Sequence, residues 1–211
     1  MTARALLLVA LALAACGTNK PELPSGLSEP EACVVAGYPV GPYGTEPGAV
    51  AENACFEGWL RPDRVAHEQA TLEPVRLSDF YDPTGSNGVR LLLVNTSALW
   101  CSACRIEHET LGERAREFAD RGLVVLSALF QGNDRKPATL RDLTLWVETY
   151  ETDFPMVLDP DYSFGLYASA ETAPLNLVID PRSMRILQKF IGDQPAVMWP
   201  YIAAALERPD E

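Results

Sequence analysis

The chain has no run of basic residues, no second C-x-x-C pair, only two histidines, no internal repeat and no low-complexity tract. Each gap removes a class of function. Phosphate binding depends on clustered Lys and Arg, and with 17 basic against 29 acidic side chains the net charge is -12, so no nucleic-acid partner is expected. Structural zinc needs a second ligand pair, and Cys33, Cys55, His67 and His108 lack the usual spacing. Haem attachment needs C-x-x-C-H, and Arg105 follows Cys104. What remains is an ordinary globular composition, 47% hydrophobic and 22% charged, in a chain of 211 residues that suits one core with additions.

Residues 1–15 read as a targeting segment, because Arg4 supplies one positive charge and residues 5–15 are unbroken apolar. That run is shorter than the about 20 residues a membrane-spanning helix needs. It ends in Leu13-Ala14-Ala15-Cys16-Gly17, which resembles the lipobox of bacterial lipoproteins and implies a lipidated Cys16 after cleavage. An ordinary signal peptide with an incidental cysteine is the competing reading. Residues 16–32 have turn formers and no periodicity, as expected of a disordered tether from a membrane anchor. Gly17, in place of the Asp that favours inner-membrane retention, tilts the expected location in the cell envelope toward the outer membrane.

Residues 33–74 stay rich in Pro and Gly and form an N-terminal extension, with a short strand expected in residues 51–60. The regular part spans residues 75–211. Residues 75–77 suit a strand and residues 83–88 a turn, and residues 89–96 (VRLLLVNT) read as a strand buried on both faces. Helical spacing of Cys104, Leu111, Ala115 and Phe118 predicts a helix over 102–120, and residues 123–130 (LVVLSALF) give a further buried strand. Pro137 is expected to open a helix whose apolar positions are Leu140, Leu143, Val147 and Tyr150. Residues 175–180 and 184–191 then suit an antiparallel hairpin and residues 197–206 a terminal helix. Strand, helix, strand, helix implies an α/β fold with a central mixed sheet flanked by helices.

Cys101-Ser102-Ala103-Cys104 falls where a buried strand ends and a helix begins. A thiolate is the nucleophile in disulfide exchange, and a helix N-terminus favours negative charge. Cys101 therefore has a reason for a lowered pKa, and Cys104, one turn inside, is suited to resolve a mixed disulfide. Trp100 is expected to pack beside Cys101 and partly exclude water. A purely structural disulfide is the competing reading.

The segment LLLVNTSALWCSACRIE, together with VRLSDF before it and APLNLVID after it, resembles the thioredoxin superfamily, specifically the TlpA/ResA-like (redoxin-type) branch of extracytoplasmic thiol-disulfide oxidoreductases. The resemblance runs from about residue 75 to 206 and implies a thioredoxin-like fold in which Cys101 attacks and Cys104 resolves. It also implies a cis-proline facing the dithiol, matched by Pro174, and an acidic proton-transfer group, matched by Glu107. A generic strand-start proline and a solvated glutamate are the alternatives. Ala103 stands where the family commonly has Pro, and Asn95 where cytoplasmic thioredoxins bury an Asp. His108 falls where the branch often has an apolar residue and is read as exposed.

No cofactor or metal is implied beyond the dithiol. The implied partners are proteins carrying disulfides or dithiols and a redox partner protein, with the membrane reached through Cys16. Reduction of exported proteins is the expected direction. Cys33 and Cys55 remain as an even number in an exported chain, and a structural disulfide between them is expected. Three other functions compete. A peroxiredoxin-type peroxidase needs a Thr three residues before its reactive cysteine, where Ala98 stands; a copper-assembly factor needs C-x-x-x-C; and a surface lipoprotein could keep the fold for binding without catalysis.

Overall fold

The computed structural model describes residues 35–67, 72–168 and 172–208. Cys16 and Cys33, with the expected leader and tether, lie outside them. The order of elements among the described residues is β1 (Cys55–Trp59), β2 (Glu73–Arg76), β3 (Leu91–Ala98), α1 (Ser102–Ala119), β4 (Leu123–Gln131), α2 (Leu140–Tyr150), β5 (Met156–Leu158), β6 (Leu175–Asp180), β7 (Arg185–Ile191) and α3 (Pro195–Glu207). None of these helices is long and apolar enough to cross a membrane.

The strands form one sheet in the order β2-β1-β5-β4-β3-β6-β7. β3 pairs parallel with β4 and β4 with β5, while β6 and β7 add antiparallel on the other side. The hairpin β1–β2 extends the same sheet along the free edge of β5. Here Gly58 is required, because a Cβ at this position would overlap the Met156 carbonyl oxygen.

Alternation along β3 explains its continuous apolar run. Leu91 and Leu93 point into a core with Leu111 and Phe118 of α1, Leu143 and Trp146 of α2, and Ile202 of α3. Leu92 and Val94 point into a second core with Leu177, Ile179, Phe164 and the extension residues Tyr38 and Val50. The helices thus cover one face, and the N-terminal segment helps cover the other. Both faces of the central strands are dry, as parallel strands require.

Three expectations differ from the structure. The second helix starts at Leu140 rather than Pro137, because Thr139 and Asp142 form a reciprocal capping box. Leu140 consequently lies outside the buried stripe, which is carried by Leu143, Trp146 and Val147. β3 continues past Thr96 to Ala98, because its buried polar residues find partners inside the sheet. His108 is buried, not exposed, since α1 turns it toward β3 and β4, on the side of Cys104 and Leu111.

Candidate active site

β3 ends beneath the start of α1, and the chain turns there through Leu99 and Trp100. Cys101 is the N-cap of α1, and its Sγ accepts from the backbone N–H of Cys104 at 3.1 Å. The helix thereby directs an otherwise unpaired amide at the sulfur. Cys101 and Cys104 are joined by a disulfide with Cα atoms 5.3 Å apart. Cys101 is 4% exposed and Cys104 is 0% exposed, so the first sulfur is the one an incoming group meets.

The peptide between Ala173 and Pro174 is cis, and the Ala173 carbonyl oxygen lies 3.5 Å from Cys101 Sγ. β6 starts immediately afterwards, and the Leu175 N–H donates to Thr96 Oγ1 at 3.1 Å, which ties this backbone to β3. On the other side, Trp100 is half-buried and donates from Nε1 to Gln131 Oε1 at 2.9 Å. The Arg135 guanidinium sits 4.4 Å above the Trp100 ring, a cation–π contact that holds the indole against the end of β4. Pro174, Trp100 and the dithiol are therefore brought together as the sequence suggested.

Glu107 lies one turn beyond Cys104 and is buried. Asn95 Nδ2 donates to its Oε2 and Asn176 Nδ2 to its Oε1, both at 2.7 Å. Burial pushes this carboxyl up to about 7, against the pull of the Asn176 and Asn95 amides, and the nearby Asp193 carboxylate adds to the rise. Glu107 also lines a cleft of about 330 Å³ with Ile106, Thr110, Asp193 and Trp199. The solvated reading of Glu107 is thus replaced by a buried carboxyl beside an open cleft.

His108 was not expected in this layer. Its Nδ1 is 3.3 Å from the Cys104 carbonyl oxygen and its Nε2 is 3.3 Å from Ser127 Oγ. Trp146 and Tyr150 flank the ring at centroid distances of 4.9 Å and 5.5 Å. Burial drives His108 down to about 3, so the ring is neutral at physiological pH. Its helical spacing was the available signal: positions 104, 108, 111, 115 and 118 form one continuous stripe, and only the polarity of histidine argued against including 108.

A family model described as AhpC/TSA family matches residues 62–185. The chain belongs to this family. Among curated proteins, the one named Thiol:disulfide interchange protein DsbE of Pseudomonas fluorescens biotype C is 31% identical over 107 residues, 51% of this chain and 54% of that protein. The DsbE of Allochromatium vinosum is 32% identical over the same length. The chain spans about half the length of these relatives. The thioredoxin domain of a thiol-disulfide oxidoreductase from Bacteroides vulgatus superposes with a TM-score of 0.56 at 18% identity, covering 78% of this chain and 100% of that domain. The thioredoxin-like fold of this AhpC/TSA family member is therefore shared with solved structures.

Cys55 opens β1 opposite Arg76 and is itself disulfide-bonded. The Cys33 half of the expected pairing and the lipidation position Cys16 lie outside the described residues.

Proposed function

We propose that this protein is a thiol-disulfide oxidoreductase that reduces disulfides of exported proteins through Cys101 and Cys104. The observation that carries the reading is the Cys101 sulfur acting as N-cap of α1 while bonded to Cys104. An amide donor and the positive end of the helix stabilise a thiolate there.

In the reduced enzyme the Cys101 thiolate attacks one sulfur of a substrate disulfide. A mixed disulfide forms, and the other substrate sulfur leaves as a thiolate that takes a proton. Glu107 then accepts the Cys104 proton, directly or through a water in its cleft, and the Cys104 thiolate attacks Cys101 Sγ. The second substrate sulfur leaves as a thiolate that takes a proton, and the Cys101–Cys104 disulfide forms. Two electrons have passed to the substrate, and a partner dithiol must return them. A carboxyl with a pKa near 7 can take and release that proton at neutral pH. The Ala173 carbonyl, facing Cys101, offers an acceptor to the N–H of a substrate backbone lying across the disulfide, and Trp100 walls the opposite side.

The leader-like residues 1–15 and the Leu13-Ala14-Ala15-Cys16 sequence support an extracytoplasmic location with a lipid anchor at Cys16, and a structural Cys33–Cys55 disulfide belongs to the same reading. Insulin-disulfide reduction tests the activity. The wild type is expected to be active and Cys101→Ser inactive, whereas an inactive wild type whose dithiol never cycles would replace catalysis by a binding role. A reduction potential near about -270 mV supports a reductase, and one near about -120 mV would reverse the direction.

A further inference from the structure

The register of the sheet sets Asn95 of β3 directly opposite Asn176 of β6, and both side chains are fully buried. Glu107 comes down from α1 onto this pair, so that each carboxamide meets one carboxyl oxygen: Asn95 Nδ2 donates to Oε2 and Asn176 Nδ2 to Oε1. The two amides also meet each other, because Asn95 Nδ2 donates to Asn176 Oδ1 at 3.0 Å.

That third bond locks the other two. A carboxylate only accepts, whereas a carboxamide has an N–H side and an oxygen side that can be exchanged by turning it over. Turning Asn176 alone would put its oxygen against Oε1 and its N–H groups against those of Asn95. Turning Asn95 alone would put its oxygen against both Oε2 and Asn176 Oδ1. Either reversal creates two repulsions inside a dry layer, where a mispaired polar group is costly. Each amide therefore holds the other with its nitrogen toward Glu107.

We propose that Asn176 is a positioning residue for Glu107, locked by Asn95 so that both carboxyl oxygens meet N–H groups on the sheet side and the acid proton is carried on the side of the cleft. The proposal rests on the reading of Glu107 as the proton acceptor for Cys104. Asn176 touches neither the substrate nor the sulfurs in this role. Its N–H stabilises the ionised carboxyl, and with Asn95 it leaves the acid proton no acceptor on the sheet side, so that proton must be taken up and released through the cleft that Glu107 lines.

Among the described residues, the titratable groups around Glu107 are few. His108 and, when reduced, Cys104 lie on its own helix, Asp193 faces it from the loop between β7 and α3, and Glu109, Glu113 and Arg114 line the cleft. α3 presents the uncharged Pro195 and Trp199 to that cleft, and β3 and β6 present the neutral Asn95 and Asn176.

The test is an NMR titration of the intact oxidised protein that follows the Glu107 carboxyl carbon together with the side-chain amide nitrogens of Asn95 and Asn176. In the wild type both amides are expected to titrate with the Glu107 midpoint and to keep their amide-proton Overhauser contacts to the Glu107 side chain on either side of it. An Asn176 amide that ignores the Glu107 titration, or that turns over when the carboxyl is protonated, overturns the proposal. Asn176→Leu keeps a γ-branched side chain and removes the donor. It should raise the Glu107 midpoint by about one pH unit, the effect of losing a hydrogen bond to a charged group, and move the pH profile of insulin reduction the same way. Leu177→Ala, one residue along β6 and in the opposite core, should lower stability and leave the midpoint in place. A midpoint unmoved by Asn176→Leu overturns the proposal, and if that variant fails to fold the wild-type amide titration decides it. Because the titration needs no turnover, an inactive wild type with a shifted variant would sink the catalytic reading and keep the positioning one.

Discussion

The backbone N–H of Cys104 donates to the sulfur of Cys101 across 3.1 Å, so the cap of α1 and the outer half of the dithiol are the same atom. After reduction this donor favours a thiolate on Cys101, which should titrate below the free-thiol value of about 8.5. Cys104, fully buried, should be alkylated slowly. Cys104→Ser is expected to trap substrates as mixed disulfides and Cys101→Ser to trap almost none, read on non-reducing gels. Equal alkylation rates at neutral pH, with no trapped species, would leave a structural disulfide.

Glu107 and His108 are sequence neighbours whose pKa values are pushed in opposite senses, toward about 7 and about 3. Glu107 holds its proton in the folded state between its ordinary 4.5 and about 7, so stability contributed below 4.5 is lost as pH rises through that window. The full loss is about 3 kcal/mol. His108 does the reverse: an unfolded imidazole binds a proton below 6.5 that the folded ring refuses until about 3, so stability falls as pH drops through that window. The two slopes offset one another where they overlap. Urea denaturation should therefore give a plateau of stability between about pH 4.5 and 6.5, falling on both sides. Glu107→Gln should remove the fall above about pH 6.5 and turn the plateau into a stretch where stability rises with pH through the His108 window, and a profile unchanged between about pH 4.5 and 7 would contradict the burial assigned to this carboxyl.

Asn95→Asp should be more disruptive than its size suggests. The change removes the amide that donates to Glu107 Oε2 at 2.7 Å and substitutes a second carboxyl at hydrogen-bonding distance. Two buried carboxylates cannot both ionise there. One proton must be retained at pH 7, and the Glu107 midpoint should rise further, with a stability loss of about 2–4 kcal/mol at neutral pH. A Glu107 titration identical to wild type would show that the pair is more solvated than its burial implies.

The parts of this arrangement that were legible in sequence are those where local pattern and tertiary outcome agree. The β3 run, the C-x-x-C at the strand-to-helix junction, Pro174 at the start of β6 and the helix carrying Leu111 and Phe118 all fall into place. The burial of His108 and the hydrogen-bond partners of Asn95 were harder, because what a buried polar side chain bonds to is set by tertiary neighbours rather than by local pattern. Those partners lie far away in sequence: Ser127 is 32 residues from Asn95, and Asn176 is 81 residues from it. β5 was missed for a related reason. It has three residues, too few for periodicity, and it exists because β4 and β1 pair with it on either side.

Gly58 tests whether the hairpin β1–β2 belongs to the body of the fold or merely rests on its edge. It pairs with Val157 of β5, and an added Cβ would approach the Val157 Cα to 2.6 Å as well as the Met156 carbonyl. Backbone cannot yield as a flexible side-chain end can. Gly58→Ala must therefore push β1 away from β5, loosening the neighbouring Trp59, which is buried against the core that includes Cys104 and Leu111. Overpacking of this kind costs about 1–3 kcal/mol. Because β1 is tied to the rest of the sheet through β5, the loss should appear in the global unfolding transition, and amides of β5 should exchange with deuterium sooner. Cys101 alkylation in the folded, reduced protein should change little, since the dithiol is anchored by β3, α1 and the start of β6. A variant with wild-type stability and unaltered exchange in β5 would show that the hairpin is a detachable edge.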